Sequence, residues 1–256
     1  MRGLQFQTGK HGFSLLILYW ISVMLLTSSC NNQKLVQTYY ENGQLKSEGY
    51  LVNAQKEGES KLYYESGQLK EEGNWRNDKQ EGEWILYYDE KDRVSGKLHF
   101  RDNIQHGPAI FYFKNGVTRE ESNWRNGKLD GNVKVYHENG KLSQIGSWQA
   151  GLKEGKFVTY YDNGQVMQTG TYIHGEEHGE FLDFYSNGKL MIVGNFLQGS
   201  LQGACKYYFK NGRVEQEGNY KEGKFDGTWK IYDSAGLKIE TRYYTKGLLL
   251  TKAIAN

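Results

Sequence analysis

An aromatic residue recurs along this chain at a nearly fixed interval: Tyr39, Tyr63, Tyr87, Tyr112, Tyr136, Tyr160, Phe184, Tyr208 and Tyr232, 24 residues apart except for one 25-residue step after Tyr87. A second position never varies. Gly58, Gly82, Gly107, Gly131, Gly155, Gly179, Gly203 and Gly227 keep the same interval. A period of this length is the signature of an array in which each unit packs mainly on its neighbours. Such arrays present long binding surfaces and seldom assemble a catalytic pocket.

The interior of one unit reads as two strands and two turns. Asn42-Gly43, Asn115-Gly116, Asn139-Gly140, Asn163-Gly164, Asn187-Gly188 and Asn211-Gly212 lie between alternating runs, with Ser66-Gly67 in their place once. Asn-Gly is expected to close a two-residue hairpin, because both residues tolerate positive φ. A second turn, such as Asn126 to Gly131, follows the next strand, and the invariant glycine is expected to serve it. The fold class is therefore all-β, an elongated antiparallel hairpin meander forming a single curved sheet. At about 4.8 Å per strand, eight units give a sheet roughly 75–80 Å long. Alternation places Trp84, Leu86 and Tyr88 on one face, with Val133, Val135, Phe157, Phe181, Trp229 and Ile231 at equivalent positions. Leu69 with Trp75, Leu142 with Trp148 and Val214 with Tyr220 add the adjoining strand. The unit from Tyr87 to Phe111 lacks the Asn-Gly turn, has the extra residue and holds the only proline, Pro108, so a bulge or bend is expected there.

Residues ahead of the array read as a targeting segment. Arg2 and Lys10 precede a 14-residue apolar run, Phe13 to Leu26, then Thr27, Ser28, Ser29 and Cys30. The run is the length of a secretory signal and short for a membrane span. The ending LLTSSC resembles a bacterial lipobox, although Thr27 stands where leucine is usual. That resemblance implies a lipidated Cys30, residues 1–29 as a signal peptide, 30–38 as the lipidated cysteine with a short linker, and 39–251 as eight units plus a partial ninth. The expected location is the cell envelope, on the outer-membrane or periplasmic side. The whole chain has 32 basic and 30 acidic residues; losing Arg2 and Lys10 leaves 30 against 30. A neutral exported protein has no electrostatic reason to bind nucleic acid. Of the two cysteines, Cys205 occupies the position of Trp84 and Phe157 and reads as a small buried hydrophobe.

The strings Gly146-Ser-Trp148-Gln-Ala-Gly151-Leu-Lys-Glu-Gly155 and Gly218-Asn-Tyr220-Lys-Glu-Gly223-Lys-Phe-Asp-Gly227 resemble the MORN repeat, and the 24-residue period resembles its bacterial variant. The resemblance spans about residues 39–247. Ala54 and Asp78 depart from it where later units have glycine, as does Ser122. It implies an all-β array that binds proteins or membranes, with no enzyme activity and no cofactor. Bacterial proteins of this type are often described as antitoxin components of toxin–antitoxin systems.

Candidate chemistry is sparse. His174-Gly175-Glu176-Glu177-His178 matches H-x-x-E-H, but that metalloprotease pattern needs a helix and here falls in a turn. Glu57, Glu81, Asp130, Glu154 and Asp226 form a spaced row too dispersed to converge on calcium, and read as solvated turn residues. The tyrosines have the parity opposite to the core. Tyr63, Tyr112, Tyr136, Tyr160, Tyr208 and Tyr232 are thus the candidate binding residues, a row on the polar face that either stiffens the sheet or contacts a partner. The expected function is a non-enzymatic, lipid-anchored scaffold for a protein partner at the envelope, or an immunity-like module there. Carbohydrate or peptidoglycan binding through the same row is the alternative.

Overall fold

The computed structural model describes residues 33–254, and the signal segment with Cys30 lies outside them. All described regular structure is β. A single sheet of 21 strands runs from β1 (Gln33–Tyr39) and β2 (Leu45–Val52) through to β20 (Lys238–Thr245) and β21 (Leu248–Ile254). Each strand pairs antiparallel with its neighbour in sequence. Strands β6 (Val94–Arg101) and β9 (Thr118–Arg125) each face a strand split in two: β7 (Ile104–Gln105) with β8 (Gly107–Tyr112), and β10 (Lys128–Leu129) with β11 (Gly131–Tyr136). β1 and β21 do not pair with each other, so the sheet is open. It begins at Gln33, inside the segment expected to be linker.

The two turns of each unit exchange the roles expected of them. At the Asn-Gly turn, the Gly43 N–H donates to the Tyr40 carbonyl, the Tyr40 N–H donates to Gln44, and only Gly43 has positive φ, +82°. That is a three-residue loop, a type I turn closed by a left-handed glycine, and not the two-residue hairpin. Asparagine wins its place through its side chain: Asn42 Oδ1 accepts the Gln44 N–H at 2.9 Å, and Nδ2 donates to Glu65 in the next unit at 3.3 Å. Asn139 and Asn163 repeat both bonds. The two-residue hairpin sits at the other turn, where Asn53-Ala54, Asn77-Asp78, Asn126-Gly127 and His174-Gly175 have positive φ at both residues.

The invariant glycines do not lie in that turn. Gly155 sits inside β13 (Leu152–Tyr160) with φ +78°, where Ile145 pairs Val158 but Ser147 pairs Glu154. Two more residues on β13 than on β12 (Leu142–Gln149) make a bulge, and the bulge needs the left-handed residue.

The deepest hydrophobic burial follows one row, with Ser122 and Tyr172 buried on neighbouring strands. Trp84, Ala109, Val133, Phe157, Phe181, Cys205 and Trp229 are 1–5% exposed, one for each unit from the second to the eighth. Leu86, Tyr88 and Trp148, expected beside them in the core, are only half-buried. Edge-to-face rings link the row along the sheet: Trp148 to Phe157 at 4.7 Å, Phe157 to Tyr172 at 4.9 Å and Tyr172 to Phe181 at 5.6 Å. Such geometry adds about 0.5–1.5 kcal/mol per pair beyond area burial. Burial pushes the Cys205 thiol above its ordinary pKa, as expected of a small core hydrophobe.

Candidate functional site

The tyrosine row stands on the face opposite that core, and its members differ from one another. All six candidate tyrosines, Tyr63, Tyr112, Tyr136, Tyr160, Tyr208 and Tyr232, are half-buried. Tyr63, Tyr136 and Tyr232 donate their hydroxyls to Glu48 at 2.7 Å, Glu121 at 3.2 Å and Glu217 at 2.9 Å, each acceptor 15 residues earlier. Tyr87 does the same to Glu72. These four are stiffening pairs. Burial first, and the carboxylate second, pushes the Tyr63 and Tyr87 hydroxyls up to about 12. The Tyr63 hydroxyl in turn holds Glu48 below the ordinary carboxylate range.

At Tyr160 and Tyr208 the acceptor position holds Ile145 and Val193, which cannot accept a bond. Strand register shows what lies between them. Ile145, Val158, Thr169, Leu182 and Val193 pair in sequence across five strands, all half-buried, with Tyr160 and Phe184 two residues further along their strands and Tyr208 on the adjoining strand, two residues beyond Lys206. On one side this band meets Lys134 and Glu121, 3.5 Å apart. On the other it meets Lys206, Glu217 and Lys230, with Lys206 and Glu217 2.9 Å apart. An apolar, aromatic centre is thus rimmed by ion pairs.

Other candidate groups have structural work. Glu154 accepts the His174 N–H at 2.8 Å, Glu57 accepts Asn77 at 2.8 Å, and Glu81 and Asp130 accept Asp102 and Ala150. The acidic row therefore ties each turn to the next and is not merely solvated. His174 occupies the first left-handed position of its turn, and His178 lies in β15 (Glu176–Phe184), so the H-x-x-E-H string is not helical. Among the described residues, no three His, Cys, Asp or Glu side chains converge.

The second aromatic of each unit, of which only Tyr88 was expected to matter and then as core, links one unit to the next. The hydroxyls of Tyr40, Tyr64, Tyr88, Tyr161 and Tyr185 donate to the carbonyls of Tyr63, Tyr87, Tyr112, Phe184 and Tyr208 at 2.6–2.9 Å. His137 Nε2 lies 3.0 Å from the Tyr160 carbonyl in the same role. Their 24-residue recurrence, interrupted by Phe113 and Phe209, was the available signal.

Comparison with known proteins agrees with the repeat. The family model described as "MORN repeat variant" matches residues 33–53, 56–77, 105–126, 129–150, 153–174, 177–198 and 201–222. No relative among curated proteins matches the chain. Among solved structures, the complex titled TcdB2-TccC3-Cdc42 is 16% identical with a TM-score of 0.22, covering 82% of this chain. The chain spans only 13% of that protein's length. A porin-like protein from Bacteroides uniformis is 8% identical with a TM-score of 0.20, covering 86% of this chain and 96% of its own.

Proposed function

The chain belongs to the MORN repeat variant family, and from that premise we propose that it is a non-enzymatic, lipid-anchored scaffold that binds a protein partner at the cell envelope. One observation carries the reading. The band of Ile145, Val158, Thr169, Leu182 and Val193, with Tyr160 and Phe184 beside it and Tyr208 at its edge, is largely apolar and is charged at both ends. Protein interfaces have this anatomy, an aromatic-rich dry core inside a polar rim. Tyrosine and phenylalanine supply large contact area at low entropic cost. An immunity-like role is one use of such a surface. Lipidation of Cys30 would hold the array at the membrane, where a rigid sheet can display the band to a neighbour.

The test is capture from solubilised envelopes, beside a glycan array. Wild type is expected to retain a partner, and a variant with Tyr160→Ser, Leu182→Lys and Tyr208→Ser to lose it with the β-rich circular dichroism unchanged. Capture that survives in the folded variant would place the contact elsewhere. Glycan binding lost in the same variant would favour the carbohydrate reading. For the anchor, a palmitate analogue is expected to label wild type and not Cys30→Ser.

A further inference from the structure

The degenerate unit places a cation where four other units place a glutamate. The residue 15 before Tyr63, Tyr87, Tyr136 and Tyr232 is a glutamate, and in each case it accepts the tyrosine hydroxyl. The residue 15 before Tyr112 is Lys97. Tyr112 and Lys97 therefore lack the carboxylate acceptor that the glutamates supply at the four other tyrosines. Lys97 is half-buried between Ile85 and Ile110 on the neighbouring strands, with no ion-pair partner among the described residues.

More cations meet there. The turn from Tyr88 to Arg93 is one residue longer than its counterparts, and Asp92 takes the left-handed conformation that glycine holds elsewhere, φ +53°. The longer loop and the strand beside it border an open concavity of about 510 Å³ lined by Lys91, Arg93, Lys97, Lys114, Tyr112 and Asp92. Four cations and a phenol thus line it with the carboxylate of Asp92, and a second carboxylate, Glu90, stands beside them. Glu90 bridges Arg93 at 3.1 Å and Lys114 at 3.3 Å, and so fixes two of the cations without reaching Lys97. Arg93 also donates to the Lys114 carbonyl, which holds its guanidinium in place.

We propose that this concavity binds a phosphate-type anion, whose oxygens replace the missing glutamate as acceptor for Tyr112 and Lys97. A compact anion fits better than a polyanion: the basic cluster is local, and the exported chain as a whole is neutral. Phosphate satisfies several donors at once, and charge-assisted bonds of this kind are the strong ones. The anion could be a soluble phosphomonoester or a phosphate on a lipid headgroup; the recognising chemistry is the same.

Lys97→Glu is the discriminating variant, because it installs the repeat's own tyrosine–glutamate pair and should keep the fold. The full chain in detergent is titrated calorimetrically with inorganic phosphate in chloride buffer. Wild type is expected to bind saturably. Lys97→Glu should weaken binding by about tenfold or more, the size of one charge-assisted contact, with an unchanged or higher Tm. Lys189→Glu, remote from the site, should bind as wild type does. Should Lys97→Glu misfold, the loop pair Lys91→Gln with Lys114→Gln reports instead, and is expected to show the same loss. Phosphatidylcholine vesicles with and without phosphatidic acid separate the sources: lysine-dependent preference for phosphatidic acid assigns the lipid, and phosphate binding without that preference assigns the soluble ligand. Wild type that binds neither, or binding unmoved by the lysine variants, overturns the proposal.

Discussion

Trp84 fills the space that a side chain on Gly73 would need: a Cβ on Gly73 would fall well inside contact distance of the indole. The same holds for Gly146 beneath Phe157, Gly170 beneath Phe181 and Gly218 beneath Trp229. None of these glycines has positive φ, so glycine is required here for the room it leaves, not for backbone freedom. Where the partner is Val133 or Ala109 another residue replaces the glycine, although Gly194 and Gly49 persist opposite the small Cys205 and Ser60. Ser122 follows Glu121, the partner of Lys134, and so takes the glycine position next to Val133; Leu98 follows Lys97, the partner of Ile110, and takes it next to Ala109.

Gly146→Ser should therefore destabilise the array by about 1–3 kcal/mol, through overpacking against Phe157. Phe157→Val should rescue part of the loss, because Ser122 with Val133 already shows that the pair fits. Urea unfolding of the two single variants and the double variant measures the coupling, expected at about 0.5–3 kcal/mol. Strictly additive losses would mean that the two positions do not share one volume.

The array, its all-β class and the face holding Trp84, Phe157 and Trp229 were legible because periodicity reports them directly. The turn types were not. Asn42-Gly43 has the composition of a two-residue hairpin, yet the Asn42 side chain bonds Gln44 and Glu65, and these local bonds select the longer loop. Conversely, Glu222-Gly223 carries no strong turn signal but adopts the two-residue form, because strand register leaves room for only two residues. The candidate surface was half legible. Parity placed Tyr63 and Tyr160 on one face, but only cross-strand register shows that Glu48 engages the first while Ile145 leaves the second free.

Gly155 belongs to the other class of glycine. A Cβ there meets nothing within 4 Å, and φ is +78°, so the cost of replacement is conformational alone. Asparagine tolerates the left-handed region and valine does not. Gly155→Asn should cost less than Gly155→Val, which should lose about 1–3 kcal/mol. At Gly146, where volume decides, Asn should be as damaging as Val. Thermal melts of the four variants separate the two mechanisms; equal losses at Gly155 would show that its positive φ carries no constraint.

Alkaline pH should weaken the sheet. The Tyr63 and Tyr87 hydroxyls titrate near 12 when folded, against about 10 unfolded. The unfolded chain releases these protons first, so it binds fewer protons through this window and stability falls as pH rises. The contribution is whole below pH 10 and lost as pH rises through 12. Absorbance at 295 nm should show a late-titrating tyrosine population, reduced in the double variant Tyr63→Phe with Tyr87→Phe. That variant should also show a shallower loss of Tm between pH 10 and 12. A slope unchanged from wild type would detach the two tyrosines from the alkaline transition.

Phe113, His137 and Phe209 replace the tyrosine that links each unit to the next, and of these only His137 keeps the bond, through its ring nitrogen. Tyr161 donates to the Phe184 carbonyl and Tyr185 to the Tyr208 carbonyl, each across 23 residues and at 2.7 Å, but the corresponding position in the following unit is Phe209, whose ring has no donor for the equivalent Tyr232 carbonyl. A carbonyl there gains a partner if the ring gains an oxygen. Phe209→Tyr should stabilise by about 0.5–1.5 kcal/mol, the net worth of one hydrogen bond, and Tyr161→Phe should lose a similar amount. In an array, stability sums over units and their interfaces, so each change should act first on the local link. Hydrogen exchange resolves this: amides flanking Tyr232 should gain protection in Phe209→Tyr, while those near Tyr63 keep their rates. A gain spread evenly over the sheet would show instead that the array unfolds as one cooperative block, and a loss of stability would show that the Phe209 site has no room for the hydroxyl.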